Sequence, residues 1–148
     1  LDRGIDISQG RSDIELMEQT ITHLPSKDFL SFSKETKIKD AIKEMTENKV
    51  SEAYIVSDQN IFIGKVSLHG LLTQKDTLLV TSSLIDNPIQ IKHDASLQQS
   101  IEIASEFVGE SIPVINLETK EILGVLSEAD LFQAYLATQN KITDLEKK

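Results

Sequence analysis

Gly64-Lys65-Val66-Ser67-Leu68-His69-Gly70 returns sixty residues later as Gly124-Val125-Leu126-Ser127-Glu128-Ala129-Asp130. Working outward at that spacing, Phe62, Ile63 and Leu71 meet Ile122, Leu123 and Leu131. Further upstream the spacing becomes 59, and Phe32, Ile38, Ala41, Ile42, Met45, Ala53, Ile55 and Val56 fall on Ile91, Leu97, Ser100, Ile101, Ala104, Ile112, Val114 and Ile115. One extra residue in the second copy accounts for the step. The order of apolar, glycine and serine positions is therefore an internal repeat, and it fixes how the rest of the chain is read.

Each copy has the same grammar. Ile38, Ala41, Ile42 and Met45 recur at helical spacing, as do Leu97, Ser100, Ile101 and Ala104, with Asp94 or Ser96 able to cap the second helix. Short β-branched runs follow at Ala53–Val56 and Ile112–Ile115, too short for helices and suited to strands. Polar turns at Ser57–Asn60 and Asn116–Lys120 precede second strands at Ile61–Val66 and Ile122–Leu126. Closing helices are expected at Leu68–Thr73 and Glu128–Ala137, and short extended segments, Asp28–Phe32 and Asn87–Ile91, enter each copy. The pattern predicts a mixed α/β (α+β) fold of two helix-strand-strand-helix repeats. A unit of about 59 residues has a thin core, which packing against a second copy remedies.

The organisation that follows is a leader over 1–20, repeats over 21–80 and 81–140, and a charged tail over 141–148. The chain of 148 residues carries a net charge of −9, distributed as −3 in 1–20, zero in 21–80 and −6 in 81–148. That sign opposes sequence-independent binding of nucleic acid or anionic lipid. The absence of cysteine excludes disulfides, thiolate metal sites and a cysteine nucleophile. No apolar run approaches the roughly 20 residues a membrane helix needs, and Leu1-Asp2-Arg3-Gly4 does not lead into the apolar core of a signal peptide.

Ser127-Glu128-Ala129-Asp130 is the best candidate for chemistry, because a strand ends and a helix begins there. Two readings use the same geometry. In one, Ser127 and Asp130 form a capping box that satisfies orphan N–H groups of the helix. In the other, the helix N-terminus faces a polar ligand and Asp130 accepts hydrogen bonds from two vicinal hydroxyls, as acids do with ribose in dinucleotide folds. The first copy keeps Ser67 but has Gly70 in place of the acid, so only one of two equivalent clefts is equipped for ribose.

Two tandem units of this form, each closing on such a glycine-to-serine segment, resemble a pair of CBS domains over about residues 21–138, and Ser127–Asp130 matches that family's Ser/Thr-x-x-Asp nucleotide motif. The resemblance implies a pseudo-twofold module with two clefts that take ATP, ADP, AMP or another adenosyl ligand, no cofactor being required. It implies that Asp130 binds ribose hydroxyls and Ser127 the region near the phosphates, with Phe29, Leu30, Val50, Ser51 and Tyr54 of the opposite repeat forming the adenine pocket. The alternative for Val50, Ser51 and Tyr54 is ordinary packing.

A second resemblance lies in the leader. Leu1-Asp2-Arg3-Gly4-Ile5-Asp6-Ile7-Ser8-Gln9-Gly10-Arg11 is similar to the segment that joins the last membrane helix of bacterial CLC-type chloride channels and chloride/proton exchangers to their cytoplasmic CBS pair. It implies a cytoplasmic regulatory domain, working with a transmembrane chloride-transport domain of the same chain and forming a homodimer. Two other functions stay open: a ligand-free dimerisation module, or a CBS pair from a different transporter or an enzyme. Against tight binding of a triphosphate stands the acidic second half, unless Lys49 or Lys65 crosses the interface. His23, His69 and His93 are too dispersed for a metal site, and nothing assembles a nucleophile, a base and an oxyanion site, so no enzyme is expected.

Overall fold

The computed structural model describes residues 17–146, with side chains to 141; the leader segment Leu1–Arg11 lies outside the described residues. The first repeat runs β1 (Ser31–Phe32), α1 (Ile38–Glu47), β2 (Glu52–Val56), β3 (Phe62–Ser67) and α2 (Leu68–Leu72), followed by a 3-10 turn at Val80–Ser83. The second runs β4 (Ile91–Lys92), α3 (Leu97–Ala104), β5 (Ile112–Ile115), β6 (Ile122–Leu126) and α4 (Glu128–Glu146). Each forms a three-stranded sheet, β1-β2-β3 or β4-β5-β6, in which the first pair is parallel and the second antiparallel. The mixed α/β pair expected from the repeat is thus the observed fold.

Both helical faces read from the spacing are inward. Ile38, Ala41 and Met45 of α1 are buried in one core, and Leu97, Ser100 and Ala104 of α3 in the other. Ser96 caps α3 in a full capping box with Gln99, whereas α1 starts at Lys37 with no side-chain cap. Its first N–H groups are instead satisfied by carbonyls of a passing strap, Ile38 N–H to Leu78 O at 2.8 Å and Lys39 N–H to Asp76 O at 3.0 Å. The pseudo-equivalent bond is Leu97 N–H to Gln19 O at 2.9 Å.

That second strap comes from the other end of the chain. Ile21, buried in the core of the second repeat, is the counterpart of Val80 in the core of the first. Ser26 then exchanges two backbone hydrogen bonds with Val125 of β6, at 2.8 and 2.9 Å. The second repeat is therefore assembled from residues 17–26 together with 91–137.

Two elements differ in length from the expectation. The closing helix of the second repeat continues to Glu146 because no glycine or proline interrupts it, while α2 stops at Leu72 with Gly70 inside it. The entry segments pair over two residues only. A third apolar cluster, Tyr54, Ile115, Ile122 and Val125 with Phe29, Val56 and Phe62 against it, joins the two sheets. At one end of this seam the turns cross-pair, Phe62 N–H to Lys120 O at 2.9 Å and Ile122 N–H to Asn60 O at 3.0 Å. Asn60 and Lys120 both hold positive φ, at 65° and 68°, which places the extra residue of the second copy inside the turn before Lys120.

The repeated glycine has a packing reason. A Cβ on Gly124, whose φ is +157°, would lie 2.7 Å from Pro25 Cβ and 2.8 Å from the Ser26 carbonyl, where the strap crosses. At Gly64 it would meet only the flexible end of Leu84, at 2.8 Å. Gly124→Ala is expected to cost about 2 kcal/mol or more and Gly64→Ala less than about 1 kcal/mol, read from the midpoints of urea denaturation.

Candidate functional site

Between the repeats lies a cleft of about 340 Å³ whose walls are Phe29, Leu30, Val50 and Tyr54 from the first repeat and Val125, Ser127 and Asp130 from the second. Ser26, Asp28, Glu52, Glu110 and Ser111 complete it. The strand ends and the helix start named from the sequence are brought together here, with one exception. Ser51 does not line the cleft; its backbone N–H donates to the Glu110 carboxylate at 2.9 Å, across the seam.

Ser127 and Asp130 form the capping box. The Ser127 N–H donates to Asp130 Oδ2 at 2.9 Å, and the Asp130 N–H donates to Ser127 Oγ at 3.1 Å. The cap and the ligand reading coexist, because the box engages one carboxylate oxygen and both residues still face the cavity. Apolar and aromatic walls opposite a fixed carboxylate suit a flat heterocycle joined to a polyol. Phe29 and Tyr54 stand edge to face, their ring centroids 5.4 Å apart. In the first repeat Ser67 Oγ accepts the Gly70 N–H at 2.9 Å, and no acid follows.

Where Val125 lines this cleft, the first repeat has Lys65, and its ammonium group is almost wholly buried. It reaches Glu52 Oε1 at 2.9 Å and the Ser111 carbonyl at 2.7 Å, and lies 4.7 Å from the centroid of Phe107. Burial of a lysine in this form demands such compensation. Glu52 in turn accepts the backbone N–H groups of Glu110 at 2.9 Å and Ser111 at 3.2 Å. Gly109, at φ +151°, makes room for it, since a Cβ there would overlap the Glu52 carboxylate.

These bonds form a reciprocal clamp across the pseudo-twofold axis. Ser51-Glu52 and Glu110-Ser111 are equivalent dipeptides in the 59-residue register with serine and glutamate exchanged, so each repeat offers a carboxylate to the other's backbone. Reading the register for complementary residues as well as similar ones would have found Glu52 and Glu110. Lys65 does cross the interface, to the Ser111 carbonyl, while Glu52 of its own repeat holds it, so it does not reach open space in the cleft.

The Tyr54 hydroxyl pairs with Ser111 Oγ across the same seam. Burial pushes the phenol well above the usual tyrosine range; the Ser111 hydrogen bond opposes this, and the charges of Glu52 and Glu110 add to it. Because the unfolded phenol titrates near about pH 10 while the folded one does not, this contribution is full below that value and lost as pH rises beyond it. In a Tyr135→Phe background, which leaves Tyr54 as the only phenol, spectrophotometric titration should show no phenolate through about pH 11 while the fold persists, with the melting temperature falling above about pH 10.

The CBS domain family model matches this chain twice, over residues 21–77 and 80–137, and the chain belongs to that family as a tandem pair. Among solved structures it resembles CbpB in complex with c-di-AMP, with a TM-score of 0.77 at 12% identity over 94% of this chain and 99% of that one. CBSX2 from Arabidopsis thaliana matches with a TM-score of 0.68 at 19% identity, over 82% of this chain and 97% of that one. The cytosolic domain of the Mg2+ channel MgtE in complex with ATP matches with a TM-score of 0.68 at 13% identity, over 83% of this chain and 53% of that one. At these identities the likeness is one of fold. No curated protein matches the sequence.

Proposed function

We propose that this CBS pair is a non-catalytic regulatory module that senses an adenine nucleotide, ATP, ADP or AMP, in the cleft at Asp130. One observation carries the reading: the only ribose-type carboxylate of the two equivalent positions faces a cavity whose opposite wall is Phe29, Leu30, Val50 and Tyr54. Family membership supports it, as do the ligands in the similar structures, c-di-AMP in CbpB and ATP in the MgtE cytosolic domain. The site spans both repeats, so a ligand that fits one arrangement of them better than another shifts the balance between arrangements.

The host we infer is a membrane transport protein, with the module on the cytoplasmic side. The leader's likeness to CLC-type proteins supports a chloride channel or chloride/proton antiporter, and the fold's likeness to a Mg2+ channel's cytosolic domain supports the broader class. A second reading, a homodimerisation module without ligand, is favoured by the exposed apolar side chains Leu72, Phe132 and Leu136.

Calorimetry of the chain is expected to show one adenine nucleotide per chain, with Asp130→Asn weakening it about tenfold or more by removing a charge-assisted acceptor. The amide oxygen keeps an acceptor for the Ser127 N–H, so the melting temperature should change little. Binding unaffected by Asp130→Asn would remove that residue from its role. The absence of heat with every nucleotide, together with a dimer in sedimentation, would favour the second reading.

A further inference from the structure

Among the described residues the cleft is walled by four carboxylates, Asp28, Glu52, Glu110 and Asp130, and by no basic side chain. The nearest buried cation, Lys65, is held by Glu52 at 2.9 Å and by the Ser111 carbonyl at 2.7 Å, and its side chain is only 4% exposed. Turning it toward a phosphate would leave Glu52 without its partner in a largely buried site. The other local source of positive potential, the N-terminus of α4, is already offset by Glu128 and Asp130 in its first turn. Nothing along the wall therefore compensates a growing polyphosphate.

We propose that this wall discriminates between adenine nucleotides by the number of their phosphates, preferring the monophosphate, and that Glu110 is a specificity-determining residue. The inference rests on the adenine site proposed above and adds to it which nucleotide is sensed. Glu110 is exposed on the loop before β5, and the Ser51 N–H fixes its carboxylate at 2.9 Å, so its charge is held at the cleft rather than swinging free. Asp28 contributes from the entry segment ahead of β1. Like charges a few ångströms apart at a protein edge disfavour each other by amounts that translate into several-fold changes in affinity for each added charge.

The experiment is calorimetry of the whole chain with AMP, ADP and ATP, in chelator so that no divalent cation bridges phosphate to carboxylate, at low and high salt. Affinity should fall from AMP to ADP to ATP by about tenfold in all, and the gap should shrink at high salt. Glu110→Gln keeps an oxygen for the Ser51 N–H and removes the charge; it should improve ATP about threefold more than it improves AMP. Asp28→Asn, on a separate segment, should act in the same direction and keeps the test open if the first variant melts early. Equal or tighter binding of ATP than AMP by the unaltered chain overturns the inference, as does an equal effect of both substitutions on all three ligands. Failure of AMP, ADP and ATP alike to bind overturns the adenine reading itself, which is a different result from a flat preference.

Discussion

A sheet of three short strands with helices on one side has a second face that water would otherwise cover, and burying that face against a copy of itself is the constraint on which the rest of this chain depends. Tyr54, Val56 and Phe62 from one sheet and Ile115, Ile122 and Val125 from the other form the shared layer. Removing such side chains from water is worth roughly 1.5–3 kcal/mol each, which neither repeat obtains alone. The same apposition creates the cleft, because the two sheets meet along a seam and diverge where the closing helix begins. The candidate site and the domain interface are thus one feature, lined by residues that also hold the halves together.

The seam also settles where polar groups can be tolerated. Backbone N–H groups of Ser51, Glu110 and Ser111 would be left unpaired at a purely apolar joint, and the carboxylates of Glu52 and Glu110 take them. Once Glu52 is turned inward, a cation must follow it, and Lys65 supplies one. The two repeats, alike in backbone, become unlike in chemistry: the second has Val125 and Asp130, the first Lys65 and Gly70 at the corresponding places.

Much of this was legible from the amino acids because hydrophobic periodicity and turn chemistry are local. Both helical faces, the strands and the Ser127–Asp130 box each lie within a short window, the repeat follows from laying such windows over one another, and Phe29, Leu30, Val50 and Tyr54 follow from the family resemblance. What was not legible depends on contacts between distant segments. The strap of residues 17–26 straddles the boundary read between leader and first repeat, since Ile21 is an isolated apolar residue with no period around it, yet Ile21 is buried in the second repeat. Glu52 and Glu110 carry no local pattern that marks them, and only their mutual register gives them a role. Ser51 was named for the cleft by position, and its backbone is engaged at the seam instead.

The strap has a mechanical side. The strap is anchored through Ile21, in the core of the second repeat, and through Ser26, hydrogen-bonded to β6 beside the cleft. Tension applied from upstream would therefore be borne first by the second repeat and the rim of the cavity, and only afterwards by β1 and the first repeat. Ser26 and Val125, which share those two backbone bonds, also line the cavity, so a pull on the strap and any occupant of the cavity would act on the same two residues, and each would alter the work required of the other.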